Sequence, residues 1–180
     1  MYYYFFKMIY LLLFITFGLT HASNPLQHQF ETKLDYFSTV NEQTFNMRYI
    51  VDSSYFDRIT NKEYLRPVLF YMGNQGDIWE QYRNSGYITK YLANKWHGLV
   101  VFAEHRYFGQ SIPFGGNKTE AYRGHQNRYL SAENAMMDYV ELVKHIRLTY
   151  NARRKAFIAF GSGYGGNLAA WSRMNYPNIF

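Results

Sequence analysis

The sequence predicts an α/β fold in which a mostly parallel sheet carries helices on both faces. Continuous apolar runs, Val68-Leu69-Phe70-Tyr71-Met72, Leu99-Val100-Val101-Phe102-Ala103 and Ala156-Phe157-Ile158-Ala159-Phe160, read as strands covered on both sides. Between and after them lie segments with apolar residues three and four apart, and this alternation builds parallel sheets with right-handed crossovers. At 180 residues and 48% apolar content, the chain has material for one domain with a buried core.

Lys7 precedes an apolar segment, Met8 to Leu19, and Thr20-His21-Ala22 follows with small residues where a signal peptidase reads. A signal peptide over 1–22 is expected, with the mature domain over 23–180 and its destination the secretory pathway, extracellular or lysosomal. The apolar run is shorter than the roughly 20 residues that span a bilayer, so no stable membrane span is expected. From about Phe30 the pattern turns to short β-type runs. Thr44 to Val51 alternates, with Phe45, Met47, Tyr49 and Val51 on one face.

Trp79 to Lys95 has Tyr82, Ile88, Tyr91 and Leu92 at helical spacing, and Phe108 to Arg128 reads as an excursion before the next helix. Ser131 suits an N-cap, after which Ala135, Tyr139, Leu142, Val143 and Ile146 share a face. The run ending at Phe160 enters a glycine-rich turn, and Leu168 to Met174 reads as a helix stopped by Pro177.

Lys and Arg outnumber Asp and Glu by 19 to 13, but Arg48, Arg58, Arg66, Arg83, Arg106, Arg123 and Arg128 are scattered. Arg153-Arg154-Lys155 fits a solvated turn leading into a strand, and no nucleic-acid partner is expected. With no cysteine and no His-Glu-x-x-His spacing, neither disulfide, metal nor cofactor is expected. Asn117-Lys118-Thr119 is a glycosylation sequon in a glycine-rich turn after Gly115-Gly116.

The most telling stretch is Phe160-Gly161-Ser162-Gly163-Tyr164-Gly165-Gly166. A strand, a sharp turn and a helix make the nucleophile elbow, in which G-x-S-x-G lifts a serine clear of the sheet. Its flanking glycines are there because side chains would collide with the adjoining strand and helix. Gly161 and Gly165 hold those places, Gly166 extends the small-residue run, and the midpoint is Gly163, which has no hydroxyl. Ser162 is a poor substitute, since that register puts Phe160 and Tyr164 where small residues are needed. A phosphate cradle is the other reading of such a turn, but neither the P-loop lysine nor a dinucleotide-binding spacing is present.

Five ordered blocks then give the chain a resemblance. They are Phe45 to Tyr49, Leu69 to Asp77, Val101 to Ser111, Tyr129 to Ala135 and Gly165 to Trp171. Together they resemble the serine carboxypeptidase family of lysosomal Pro-X carboxypeptidase, dipeptidyl peptidase II and thymus-specific serine protease. The resemblance implies the N-terminal portion of an α/β-hydrolase fold, incomplete at its C-terminal end, with an open sheet edge that makes independent stability doubtful.

It also places the family's elbow, Gly-Gly-Ser-Tyr-Gly-Gly, so that the nucleophile falls on Gly163. By analogy, the Tyr164 N–H and an N–H from Gly73, Asn74 or Gln75 would form the oxyanion hole. Which of the three donates stays open, and Gln75 stands where the family usually has glutamate. The triad order is Ser, then Asp or Glu, then His, yet no Asp, Glu or His follows Gly163, so neither partner is expected within this chain. His105 and Arg106 are expected to be structural or to support the site from behind the groups that touch substrate; His28, His97, His125 and His145 are expected to face solvent.

The resemblance thus implies a secretory or lysosomal serine exopeptidase cleaving next to proline, inactive as it stands. The rival readings are a secreted non-catalytic pseudopeptidase that binds peptides or a partner, and a truncated gene model. Peptides with proline near a terminus are the implied ligands, and a homo-oligomer stays open.

Overall fold

The computed structural model describes residues 25–56 and 66–180, so the expected signal peptide lies outside the described residues. Five strands form one sheet in the order β1-β2-β4-β3-β5. They are β1 (Leu26–Lys33), β2 (Thr44–Asp52), β3 (Val68–Met72), β4 (Leu99–Ala103) and β5 (Phe157–Phe160). β3 runs parallel to both β4 and β5, in register Val68 with Leu99 and Val68 with Phe157. β2 is antiparallel to β4 and β1 antiparallel to β2, so the sheet is mixed, with its antiparallel half at the N-terminal side.

The period-2 alternation of a strand assigns its side chains to two cores. Within β3, Val68, Phe70 and Met72 join one cluster with Phe45, Met47, Tyr49, Val51 and Val101, while Leu69 and Tyr71 join another with Ile50, Val100 and Phe102. The first is closed by α4 (Ala132–Thr149) and α5 (Tyr164–Asn175), through Tyr139, Leu142, Val143, Ile146 and Leu168. Ser131 caps α4 by accepting the Asn134 N–H, at 3.2 Å. The second core is closed by Ile78, Leu92 and Ala93. There the Tyr71 and Phe102 rings stack with centroids 4.3 Å apart.

The helix expected over Trp79 to Lys95 is three pieces: α1 (Ile78–Asn84), a π-helical turn (Tyr87–Leu92) and α2 (Ala93–Trp96). The interruption falls at Ser85-Gly86, and the wider π turn rotates the face, so that Tyr91 is exposed instead of buried with Leu92. The excursion from Phe108 to Arg128 contains α3 (Lys118–Ala121) between two short tight turns. No helix among the described residues is long and apolar enough to cross a membrane.

Candidate functional site

β5 ends at Phe160, α5 begins at Tyr164, and the three intervening residues reverse the chain. Gly163 lies at φ 52° and ψ −128°, a conformation that side-chain-bearing residues rarely adopt. A Cβ placed on Gly165 would lie 2.3 Å from the Met72 carbonyl oxygen, and one on Gly161 would strike the Gly165 backbone. These two positions need glycine because backbone fills the space. Gly163 differs: a Cβ there meets nothing within 4 Å, so its requirement is conformational and its apex is open. The turn is closed by the Gly166 and Asn167 N–H groups, which donate to the Gly163 carbonyl at 3.0 and 3.3 Å.

The Ser162 hydroxyl is turned onto β3. Its Oγ is 2.8 Å from the Tyr71 hydroxyl, and Asn74 Nδ2 donates to the Ser162 carbonyl at 3.3 Å. The Gly73 N–H donates to the Ala103 carbonyl at 2.8 Å, and the Asn74 N–H to Gln81 Oε1 at 3.0 Å. The Gln75 N–H takes no partner among the described residues; neither does the Tyr164 N–H at the start of α5. The Gly73 carbonyl accepts from the Tyr139 hydroxyl at 3.1 Å, tying this loop to α4.

Sequence reasoning missed what holds the loop. Glu104, fully buried at the end of β4, accepts from Arg48 Nε at 3.1 Å, the Ile78 N–H at 3.0 Å, the Gln110 N–H at 2.9 Å and the Ser111 hydroxyl at 2.8 Å. Asp77 pairs with the same Arg48 and caps α1 through the Trp79 N–H at 2.8 Å. Burial works against the Asp77 charge, but Arg48 and the capping amides hold its carboxyl below the usual range. The available signal was the acid-His-Arg run after a buried strand, which does not say what it binds.

Arg106 is a buried cation bound by both oxygens of Asp138, at 2.7 and 2.8 Å, and by the carbonyls of Leu34 and Tyr129 at 2.8 and 2.9 Å. His105, also buried, donates from Nδ1 to the Arg106 carbonyl at 2.6 Å, so Nε2 carries the lone pair and has no partner among the described residues. Burial lowers its pKa to about 4. Its ring lies 5.5 Å from that of Tyr164, packed behind the elbow.

The other histidines need correcting. His125 is exposed, but His28, His97 and His145 are half-buried. His28 stacks on Tyr49 at 5.1 Å, and His145 Nε2 is 3.3 Å from the Tyr49 hydroxyl, because β1 packs against α4 and draws both rings inward. Among the described residues no group of three or more His, Cys, Asp or Glu is placed to hold a metal ion.

Comparison with known proteins accords with this architecture. The peroxisomal alpha-beta-hydrolase Lpx1 of Saccharomyces cerevisiae superposes with a TM-score of 0.58 at 12% identity, covering 89% of this chain and 42% of that one. A putative dipeptidyl aminopeptidase IV from Bacteroides ovatus gives a TM-score of 0.52 at 16% identity, covering 87% of this chain and 20% of that one. These likenesses show the fold. In sequence, human lysosomal Pro-X carboxypeptidase is 42% identical over 159 residues, covering 88% of this chain and 30% of that protein. Mouse thymus-specific serine protease is 31% identical, covering 91% of this chain and 30% of that protein. The chain therefore spans 30% of the length of both relatives. Residues 32–180 match the serine carboxypeptidase S28 family, and the chain belongs to that family.

Proposed function

We propose that this chain is a disabled serine exopeptidase unit, descended from enzymes that cleave next to proline, which keeps the elbow but not its turnover. The observation that carries this reading is glycine at an open apex, which leaves no side-chain atom there to form an acyl-enzyme. Ser162 does not replace it, because its hydroxyl is engaged by Tyr71 one residue before the apex.

The site's ability to receive a peptide rests on two backbone donors. Among the described residues the Tyr164 N–H is a helix-start donor without a partner, and Gln75 is the member of the 73–75 loop whose N–H is not already used. We assign both to a bound carbonyl oxygen. This favours a second reading, a non-catalytic binder of peptides with proline near a terminus. The secretory destination, extracellular or lysosomal, rests on the signal-like N-terminus and on the likeness to human lysosomal Pro-X carboxypeptidase.

A fluorophosphonate probe tests the first reading. The purified chain is expected to remain unlabelled and to turn over no proline-containing peptide. Labelling or turnover that disappears in Ser162→Ala would overturn it. Retained peptide binding without labelling would support the binder, and sequencing the transcript past the codon for Phe180 addresses the truncated-gene-model reading.

A further inference from the structure

We propose that Asn117 is the acceptor of an N-linked glycan, a modification site that stands apart from the peptide-site reading. Asn117-Lys118-Thr119 is the only N-x-S/T sequence in the 180 residues. All three residues are exposed. They follow a loop in which Gly115 and Gly116 take φ of 70° and 80°, and a Cβ on either would meet nothing within 4 Å. The sequon is therefore exposed, with open space beside the two glycines that precede it.

The side-chain amide is divided between two tasks. Asn117 Oδ1 accepts the Glu120 N–H at 3.2 Å and so caps α3, while Nδ2 takes no partner among the described residues. N-glycosylation alters Nδ2 and leaves the amide carbonyl in place. The capping bond therefore survives modification, and glycan and fold do not compete for the same atom. A sequon whose Nδ2 was buried or hydrogen-bonded would have to give up one or the other.

In the transfer, Nδ2 forms a bond to the anomeric carbon of an oligosaccharide carried on a lipid pyrophosphate. The bond from that carbon to the pyrophosphate oxygen breaks, the lipid pyrophosphate leaves with the electron pair, and one Nδ2 proton passes to a base on the transferase. The co-reactant resides in the lumen of the secretory pathway, so the modification also reports the chain's route.

The test expresses the full chain, with its own N-terminus, in an animal-cell secretory host beside Thr119→Ala and Asn117→Asp. Thr119→Ala removes the sequon and leaves Asn117 intact; Asn117→Asp removes the acceptor nitrogen and keeps a capping oxygen. The unaltered chain is expected to carry the mass of one glycan, removable by an amide-cleaving glycosidase that leaves aspartate at 117. Both variants are expected to run at the deglycosylated mass. Recovery of the peptide spanning Asn117 without modification, or a mass increment that persists in both variants, would overturn the proposal.

Discussion

A methyl group on Gly161 would end 2.2 Å from the carbonyl oxygen of Gly165, so the end of the strand and the first turn of the helix touch backbone to backbone. At that separation no rotamer change can relieve a clash. The elbow's shape thus depends on its flanking glycines, whereas its chemistry depends on the residue between them.

The three elbow positions should respond differently to alanine. Gly163→Ala adds a side chain in open space at φ 52°, and is expected to cost about 1–3 kcal/mol of backbone strain. Gly161→Ala and Gly165→Ala drive a methyl into backbone and should cost more, at least about 3 kcal/mol. Urea unfolding of the three variants checks this ranking; equal losses would contradict it.

Glu104→Gln should destabilise the chain by about 3–5 kcal/mol, because Arg48 keeps its charge in the core and loses its most buried partner. Gly109 lies at φ 55°, and a Cβ there would sit 1.8 Å from Glu104 Oε1. Gly109→Ala should therefore displace the same carboxylate. Combined with Glu104→Gln it should cost less than the two separate losses added, which a double-mutant cycle measures.

His105 should make stability pH-dependent. Its pKa is about 4 when folded against 6.5 for the free side chain, so the unfolded chain binds the proton more readily between these values. The neutral ring's contribution is complete above pH 6.5, falls as pH drops toward 4, and loses nothing further below that. Between pH 7 and pH 5 the loss from this group is about 2 kcal/mol. His105→Asn should show a correspondingly shallower pH dependence of unfolding free energy, and identical slopes would sink the assignment.

The contact between Ser162 and Tyr71 should act structurally. Tyr71→Phe and Ser162→Ala are expected to show a coupling of about 0.5–1.5 kcal/mol in a double-mutant cycle. Tyr71→Phe should not make Ser162 reactive to fluorophosphonate, since the hydroxyl still lies one residue before the apex. Labelling of that variant would show that Tyr71 masks a nucleophile.

Most strands were legible because covering both faces of a strand requires an unbroken apolar run, as in Val68 to Met72 and Leu99 to Ala103. β1 was not: it is an edge strand whose residues are mainly exposed or half-buried, with Thr32 its one buried position. Its strand character comes from pairing with β2, which local composition does not encode. The break at Ser85-Gly86 likewise left no mark in the apolar spacing, which grouped the exposed Tyr91 with the buried Leu92.

By itself, the sequence determined the elbow and its missing hydroxyl, because the clash at Gly161 and the positive φ at Gly163 arise within the turn and glycine spacing records them, whereas Gly165 is held to glycine by the Met72 carbonyl of β3. Only the tertiary structure decided the rest of the site. Gln81 reaches back to occupy the Asn74 N–H, while the Gln75 N–H has no partner among the described residues, and Arg48 meets Glu104 across 56 positions of chain to hold that loop in place. Hydrogen-bond partners are chosen by proximity in the folded chain, and proximity between distant segments appears only once the sheet has brought β2, β3 and β4 side by side.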